Sequence, residues 1–399
     1  MNIFEKIYCR IFQFCFKVAI PFLPYRNPVI LDNVESISQI LKEKHAEKVL
    51  IVVDSNIEKL KLNYNLEKTL TDNNILFFKY DKIFSDPTIN NVEEAKNLYI
   101  ENKCQAIIGF GGGSAIDCAK AVGARIARPN LSIPKMAGIL KILKEIPLLI
   151  AIPTTAGTGS ETTVATLITD SETKRKYMIG DFPLIPKYAI LDAENIKTLP
   201  QNITAFVGID VLVHAIEAYI GNSTTKKTRE QSLQAVSLVY KNLYDTYLDG
   251  NNLEKRRNML QASYLAGCAF TISYVGYCHA IAHTIGGMYH VPHGLANAII
   301  IPYVLEAYGE KIYKKLKELG VAAGLFDENI NQEQGAKIFI ESIKDLNSKM
   351  GIGTKIDAIK KEDINEIVKN ALKEGNPVYP VPVLMGKKEL SLIVEKLMK

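Results

Sequence analysis

The chain has 399 residues, 47% hydrophobic and 23% charged, with a net charge of +5 spread along its length. That length exceeds one ordinary core and predicts two domains. The weak, dispersed charge gives no reason to expect a nucleic-acid partner. Six cysteines without a CxxC pair suit buried thiols of a reducing, cytoplasmic setting rather than a disulfide framework.

Residues 1–26 read as an amphipathic helical extension. Ile3, Ile7, Ile11, Phe14 or Cys15, Val18 and Phe22 recur at helical spacing, with Glu5, Lys6, Arg10, Gln13 and Lys17 between them. The interspersed charges exclude a transmembrane span, and Lys17 breaks the apolar run a signal peptide needs. The expectation is packing on the protein body or on a second subunit; the alternative is a helix lying on a membrane surface.

Residues 27–193 alternate helix and strand. A helix is predicted over 34–46, then a strand at 48–54 (KVLIVVD) and a second at 75–81. A helix follows over 91–102. Further strands are predicted at 105–114, 147–155 and 188–192. Near-continuous apolar strands separated by helices predict a doubly wound parallel sheet, an α/β, Rossmann-like domain. From residue 194 to 399 helical periodicity dominates, which predicts an all-α second domain. A cleft between the two is the expected place for a ligand.

Gly111, Gly112, Gly113 and Ser114 follow a predicted strand and open a helix. Glycines let a ligand approach the backbone, and a helix N-terminus favours negative charge, so this turn suits a diphosphate. It is neither GxGxxG nor a P-loop. A second strand end, PTTAGTGSETT from 153 to 163, brings Thr154, Thr155 and Thr158. Asp54 ends the first strand; a carboxylate there can accept from ribose hydroxyls and repels a 2′-phosphate, which favours NAD over NADP.

Five of the six histidines lie in two stretches. In GIDVLVHAIEAY, Asp210 and His214 are four residues apart and share a helix face. In GYCHAIAHTIGGMYHVPHG, His279 and His283 repeat that spacing, with His290 and His293 beyond. One carboxylate with several imidazoles suits a divalent first-row metal such as Fe²⁺ or Zn²⁺. Spacing alone leaves open which four of Asp210, His214, His279, His283, His290 and His293 ligate.

GGGSAIDCAK, PTTAGTGSET, GIDVLVHAIEAY and HAIAHTIGGMYHVPHG, in that order, resemble the iron-containing (group III) alcohol dehydrogenase family. The resemblance implies Asp210, His214, His279 and His293 as metal ligands, with His283 near the nicotinamide as the catalytic histidine. It implies Asp54 at the adenosine ribose, and Gly111, Gly112, Gly113 and Ser114 at the diphosphate, with Asp117 and Lys120 supporting that turn. Thr154, Thr155 and Thr158 fall along the second nucleotide loop, and Lys176 reaches toward the nucleotide. It also implies a homodimer and hydride transfer between a small primary alcohol or aldehyde and NAD, with the metal as Lewis acid. Membrane contact is not expected.

The chain departs from the family's usual pattern in three places: the first 25 residues, Thr284-Ile285 where proline-leucine is usual, and GNPVYP at 375–380 where an arginine usually follows the proline. Three alternatives share the architecture: a dehydroquinate-synthase-like enzyme, a glycerol-dehydrogenase-like enzyme, and a non-catalytic metal- and nucleotide-binding module. Asp210 and the HxxxH spacing argue against the first, and the full set of site residues against the last.

Overall fold

The computed structural model describes the whole chain except Ser85 and Lys174. Two compact units divide it: Pro24–Leu199, and Met1–Leu23 together with Pro200–Lys399. These divisions fall after Leu23 and after Leu199, where the sequence pattern placed boundaries after residues 26 and 193. The N-terminal segment, however, belongs to the helical unit rather than standing apart.

That segment is helix α1 (Ile3–Ala19), opened by a capping box between Asn2 and Glu5. It packs on its own unit, but through the face opposite to the apolar stripe. Cys9 and Gln13 are buried, whereas Phe4, Ile11, Phe14 and Phe22 are exposed.

The unit Pro24–Leu199 runs β1 (Val29–Leu31), α2 (Ile37–Glu43), β2 (Lys48–Asp54), α3 (Ser55–Lys59), α4 (Tyr64–Asp72), β3 (Leu76–Ile83) and α5 (Ile89–Glu101). It continues with β4 (Ala106–Gly111), α6 (Gly113–Ala127), α7 (Ile133–Met136), β5 (Gly138–Ile139), β6 (Leu148–Pro153), β7 (Ala165–Thr169), β8 (Lys176–Gly180) and β9 (Tyr188–Ile190). Six of these strands form one parallel sheet in the order β1-β9-β6-β4-β2-β3.

Strand β2 shows why the sheet needs helices on both faces. Leu50 and Val52 join one core, with Ile107 and Leu149. Val49, Ile51 and Val53 join the other, with Ile108 and Ile150. Side chains alternate across a strand, so an unbroken apolar run fills two layers at once. Each such side chain contributes about 1.5–3 kcal/mol relative to exposure.

The chain leaves β2 toward β3 on one side and returns to β4 on the other, with Val53 beside Phe110. This reversal sets the carboxyl ends of β2 and β4 side by side as a topological switch point. The sequence pattern missed β1 and the small sheet β5-β8-β7, whose β7 and β8 pair antiparallel. These strands are short, and Leu167 and Met178 face outward, so no continuous apolar run marks them.

The helical unit contains α8 (Gln201–Ile220), α9 (Lys226–Leu248), α10 (Leu253–Ser273), α11 (Tyr277–Tyr289) and α12 (His293–Tyr308). It ends with α13 (Tyr313–Ala322), α14 (Gln332–Lys349), α15 (Ile364–Gly375) and α16 (Lys387–Leu397). Helix α8 packs against α9, α10 and α12. Among the described residues it is the one single helix long and apolar enough to cross a membrane, and 83% of that stretch is buried in the protein. Apolarity on every side is what a central core helix requires.

Candidate metal centre and nucleotide edge

In the apolar body of helix α8, Asp210, His214 and Glu217 share one face. Helix α11 supplies His279 and His283, and α12 begins at His293. One ligand atom from each of Asp210, His214, His279 and His293 lies within 4.8 Å of all the others. Asp210 Oδ1 is 3.9 Å from His279 Nε2 and 3.6 Å from His293 Nε2; Asp210 Oδ2 is 3.9 Å from His214 Nδ1. Four donors at about 2.1 Å from one ion would stand roughly 3.4 Å apart. The set closes on a cation by drawing together by at most about 1.4 Å.

Two of these atoms are orphaned. His214 Nδ1 and His279 Nε2 are buried with no hydrogen-bond partner among the described residues. Each would cost about 1–3 kcal/mol if left so, and a cation satisfies both. Burial pushes the His214 imidazole down to about 3, although Asp210 opposes the shift, and holds His279 well below the ordinary histidine range. Both rings are therefore neutral, the form that ligates. The residues present fit a divalent metal.

Surrounding groups aim these ligands. Glu217 Oε2 lies 2.6 Å from His279 Nδ1 and accepts from the Gly276 N–H at 2.8 Å, while Oε1 accepts from the Cys278 N–H at 2.9 Å. An acceptor at Nδ1 keeps the ring proton there and leaves Nε2 free to ligate. Burial pushes the Glu217 carboxyl up to about 7, opposed by the N–H groups it accepts from. Asn297 donates through Nδ2 to Asp210 Oδ1 at 2.7 Å and stands 3.0 Å from His293 Nε2. Gly294 lets α12 approach α8: a Cβ there would sit 2.4 Å from the Phe206 carbonyl oxygen.

His283 is outside the ligand group. Its ring stacks on His293 with centroids 5.0 Å apart, and its Nδ1 lies 2.6 Å from Glu374 Oε1. Tyr379 donates to the same oxygen at 2.7 Å. His290 ends α11 in the left-handed conformation and is exposed.

In the other unit, Asp54 and the glycine turn share the switch point. Asp54 Oδ1 accepts from the N–H groups of Asn56 and Ile57, capping α3. Its Oδ2 would stand 3.2 Å from a Cβ at Gly111, and the Ala115 Cβ 2.8 Å from it; Gly111 also has φ of +150°. Only glycine fits there. Gly112, Gly113 and Ser114 start the fifteen-residue α6. Thr154 donates its N–H to the Gly111 carbonyl at 3.0 Å. A Cβ at Gly112 would meet Thr155 at 3.7 Å, and one at Gly113 would meet Thr158 at 3.1 Å. The three threonines therefore border the glycine turn.

Asp117 and Lys120, on α6 behind the glycine turn, bond to the second loop and to β7. Asp117 accepts from Ser160 Oγ at 2.5 Å and from the Leu167 N–H at 2.8 Å. The buried Lys120 ammonium donates to Thr163 Oγ1 at 2.7 Å and to the Thr163 and Ala165 carbonyls at 3.0 and 2.9 Å. Both tie the second loop to α6, the helix that the glycine turn opens. Lys176, at the start of β8, is half-exposed and pairs with Asp86 at 2.5 Å.

The sequence reading missed Glu217, Asn297, Glu374 and Tyr379. Glu217 had a signal: it is one of two acids in an apolar helix, seven residues after Asp210 and on its face. Asn297 follows His293 at helical spacing but stands in no recognisable motif. For Glu374 and Tyr379 there was none.

Residues 30–193 match the family model described as iron-containing alcohol dehydrogenase, and residues 204–398 match the Fe-containing alcohol dehydrogenase family, C-terminal. The chain belongs to this family. It is 33% identical to alcohol dehydrogenase 4 of Saccharomyces cerevisiae over 91% of this chain and 94% of that protein. It is 32% identical to the NAD-dependent methanol dehydrogenase of Bacillus methanolicus over 88% of this chain and 93% of that one. The solved structure of an alcohol dehydrogenase from Oenococcus oeni superposes with a TM-score of 0.90 at 31% identity, covering 94% of this chain and all of that one. As a family member the protein is an oxidoreductase interconverting alcohols and aldehydes.

Proposed function

We propose that this family member is an iron-dependent, NAD-linked dehydrogenase of small primary alcohols, acting in the cytoplasm as a homodimer. The observation that carries the reading is the cluster of Asp210, His214, His279 and His293 with two buried imidazole nitrogens that a cation would satisfy. The metal, when bound, supplies Lewis acidity that lowers an alcohol's pKa or polarises an aldehyde carbonyl. The nicotinamide supplies the hydride acceptor.

This chain's residues do the rest. Asp210, His214, His279 and His293 hold the cation. Glu217 keeps the His279 proton on Nδ1, so that Nε2 stays available. His283, its Nδ1 turned to Glu374, receives the alcohol's proton at Nε2 or holds the nicotinamide in place. Gly111, Gly112, Gly113 and Ser114 take the diphosphate at the α6 N-terminus, with Thr154, Thr155 and Thr158 beside it. Lys176 reaches toward the nucleotide, exchanging Asp86 for it.

Asp54 at the switch point supports NAD over NADP by repelling a 2′-phosphate. The name of the Bacillus methanolicus relative points the same way. One carboxylate and three imidazoles suit Fe²⁺, and they accept Zn²⁺ as well. Six free cysteines, five of them buried, support a reducing compartment.

The test is direct. Protein loaded anaerobically with Fe²⁺ or with Zn²⁺ is mixed with NADH and a panel of short aldehydes, and the nicotinamide absorbance is followed. Aldehyde-dependent oxidation that disappears in Asp210→Ala is the expected result. No oxidation with any aldehyde, despite bound metal and NADH, refutes the proposal. Repeating the assay with NADPH tests cofactor choice, and the mass in solution tests the dimer.

A further inference from the structure

Two of the segments that depart from the family's usual pattern, the N-terminal extension and GNPVYP, are bonded to each other. Arg10 in α1 donates through Nη1 to the Val381 carbonyl at 2.7 Å and through Nη2 to the Pro382 carbonyl at 2.9 Å. Gln13, one turn on, donates through Nε2 to the Tyr379 carbonyl at 2.7 Å and the Pro377 carbonyl at 3.3 Å. Arg10 also donates to Gln13 Oε1 at 2.8 Å, so the two side chains are braced together.

The strap of residues 376–382 needs such donors. Pro377, Pro380 and Pro382 carry no N–H and prevent a regular ladder, yet each residue still presents a carbonyl that must be satisfied. Asn222, just after α8, satisfies Pro380 and shares Val381. The helix supplies Pro377 and Pro382, and it shares the Tyr379 carbonyl with the Val381 N–H at 2.8 Å. This explains the reversed orientation of α1: a helix serving only as packing would turn its apolar stripe inward, whereas this one turns in Arg10 and Gln13 and leaves Phe4, Phe14 and Phe22 exposed.

The strap in turn reaches the catalytic histidine. Tyr379, whose carbonyl Gln13 holds, donates its hydroxyl to Glu374 Oε1, and that oxygen lies 2.6 Å from His283 Nδ1. An ionised carboxylate only accepts. The pair therefore keeps the His283 proton on Nδ1 and fixes the plane of the ring.

We propose that the N-terminal helix is a positioning element of the catalytic site: Arg10 and Gln13 hold the proline strap so that Tyr379 and Glu374 set the orientation and tautomer of His283. The proposal rests on the reading of His283 as the catalytic histidine, and the experiment separates the two. Full-length metal-free protein labelled with ¹⁵N-histidine reports the Nδ1 and Nε2 signals of each ring, and the metal-loaded enzyme gives kcat and KM. Gln13→Glu keeps the shape of the side chain but replaces its donating amide with an acceptor, which makes it the gentlest probe. Arg10→Gln, Tyr379→Phe and Glu374→Gln complete the set.

The expected result is that all four variants move the His283 signals away from a single tautomer, while His45 in the other unit does not move. kcat should fall between about tenfold and a hundredfold, the range for a misplaced catalytic group, with alcohol KM nearly unchanged. Gln13→Glu combined with Tyr379→Phe should be no worse than the more affected single variant, because both act through one oxygen. The proposal is overturned if Tyr379→Phe and Glu374→Gln move the His283 signals but Gln13→Glu and Arg10→Gln do not. It is equally overturned if none of the four moves them. If His283→Ala leaves kcat intact, the catalytic reading of His283 fails, and the ring signals still decide whether the helix positions it.

Discussion

Replacing Glu217 with glutamine should weaken metal binding while leaving the fold intact. Two carboxylate oxygens meet three donors, the N–H groups of Gly276 and Cys278 and the His279 ring at Nδ1, at 2.8, 2.9 and 2.6 Å. An amide offers only one accepting oxygen. If that oxygen faces Gly276 and His279, the amide nitrogen opposes the Cys278 N–H. If it faces Cys278, the amide nitrogen opposes His279 and favours the tautomer whose Nε2 carries the proton. At least one buried donor is left unsatisfied, which costs about 1–3 kcal/mol of stability. Loss of the partner that orients a ligating histidine lowers metal affinity by about tenfold to a hundredfold, or roughly 1.4–2.7 kcal/mol. Chelator competition measures the affinity, and urea unfolding of metal-free protein measures the stability. Unchanged affinity in a folded variant would refute the assignment of Glu217 as the group that orients His279.

His279→Ala should abolish stoichiometric metal binding, whereas His283→Ala should retain the metal and lower turnover; metal content and kcat measured on the same samples check this, and equal metal loss in both would contradict the division of roles. Gly294→Ala places a Cβ 2.4 Å from the Phe206 carbonyl oxygen, backbone that moves only with its helix; a loss of about 1–3 kcal/mol in urea unfolding is expected, together with weakened metal binding as His293 is pushed from Asp210. In the unit Pro24–Leu199, burial raises the Glu161 carboxyl from 4.5 to about 7. A carboxyl raised on folding contributes stability that is present below its unfolded value and lost as pH climbs through its folded one. Stability should therefore fall by up to about 3 kcal/mol between pH 4.5 and 7, and Glu161→Gln should remove that slope in urea midpoints measured across the range.

Much of this protein is legible in one dimension because its signals are local. An apolar run such as residues 49–53 predicts a strand buried on both faces, since no other setting hides every side chain of a strand. Asp210 with His214, and His279 with His283, read as shared faces because four residues make about one helical turn. The glycines at 111–113 mark a close backbone approach for the same kind of reason. The short strands β5, β7 and β8 escaped, because short, half-exposed strands carry no such run.

What only the tertiary structure decided are the meetings between distant segments. Spacing alone offered six candidate ligands, and the packing of α8, α11 and α12 is what gathers Asp210, His214, His279 and His293 while leaving His283 facing Glu374. The N-terminal helix shows the limit most plainly. Its periodicity marks an apolar stripe, and the stripe would ordinarily be the buried face. The choice went to the other side, because the carbonyls of a proline strap more than 360 residues away take the donors of Arg10 and Gln13. Hydrophobic pattern is a property of the neighbouring residues along a helix, whereas the need for a donor belongs to whatever part of the chain folds against it.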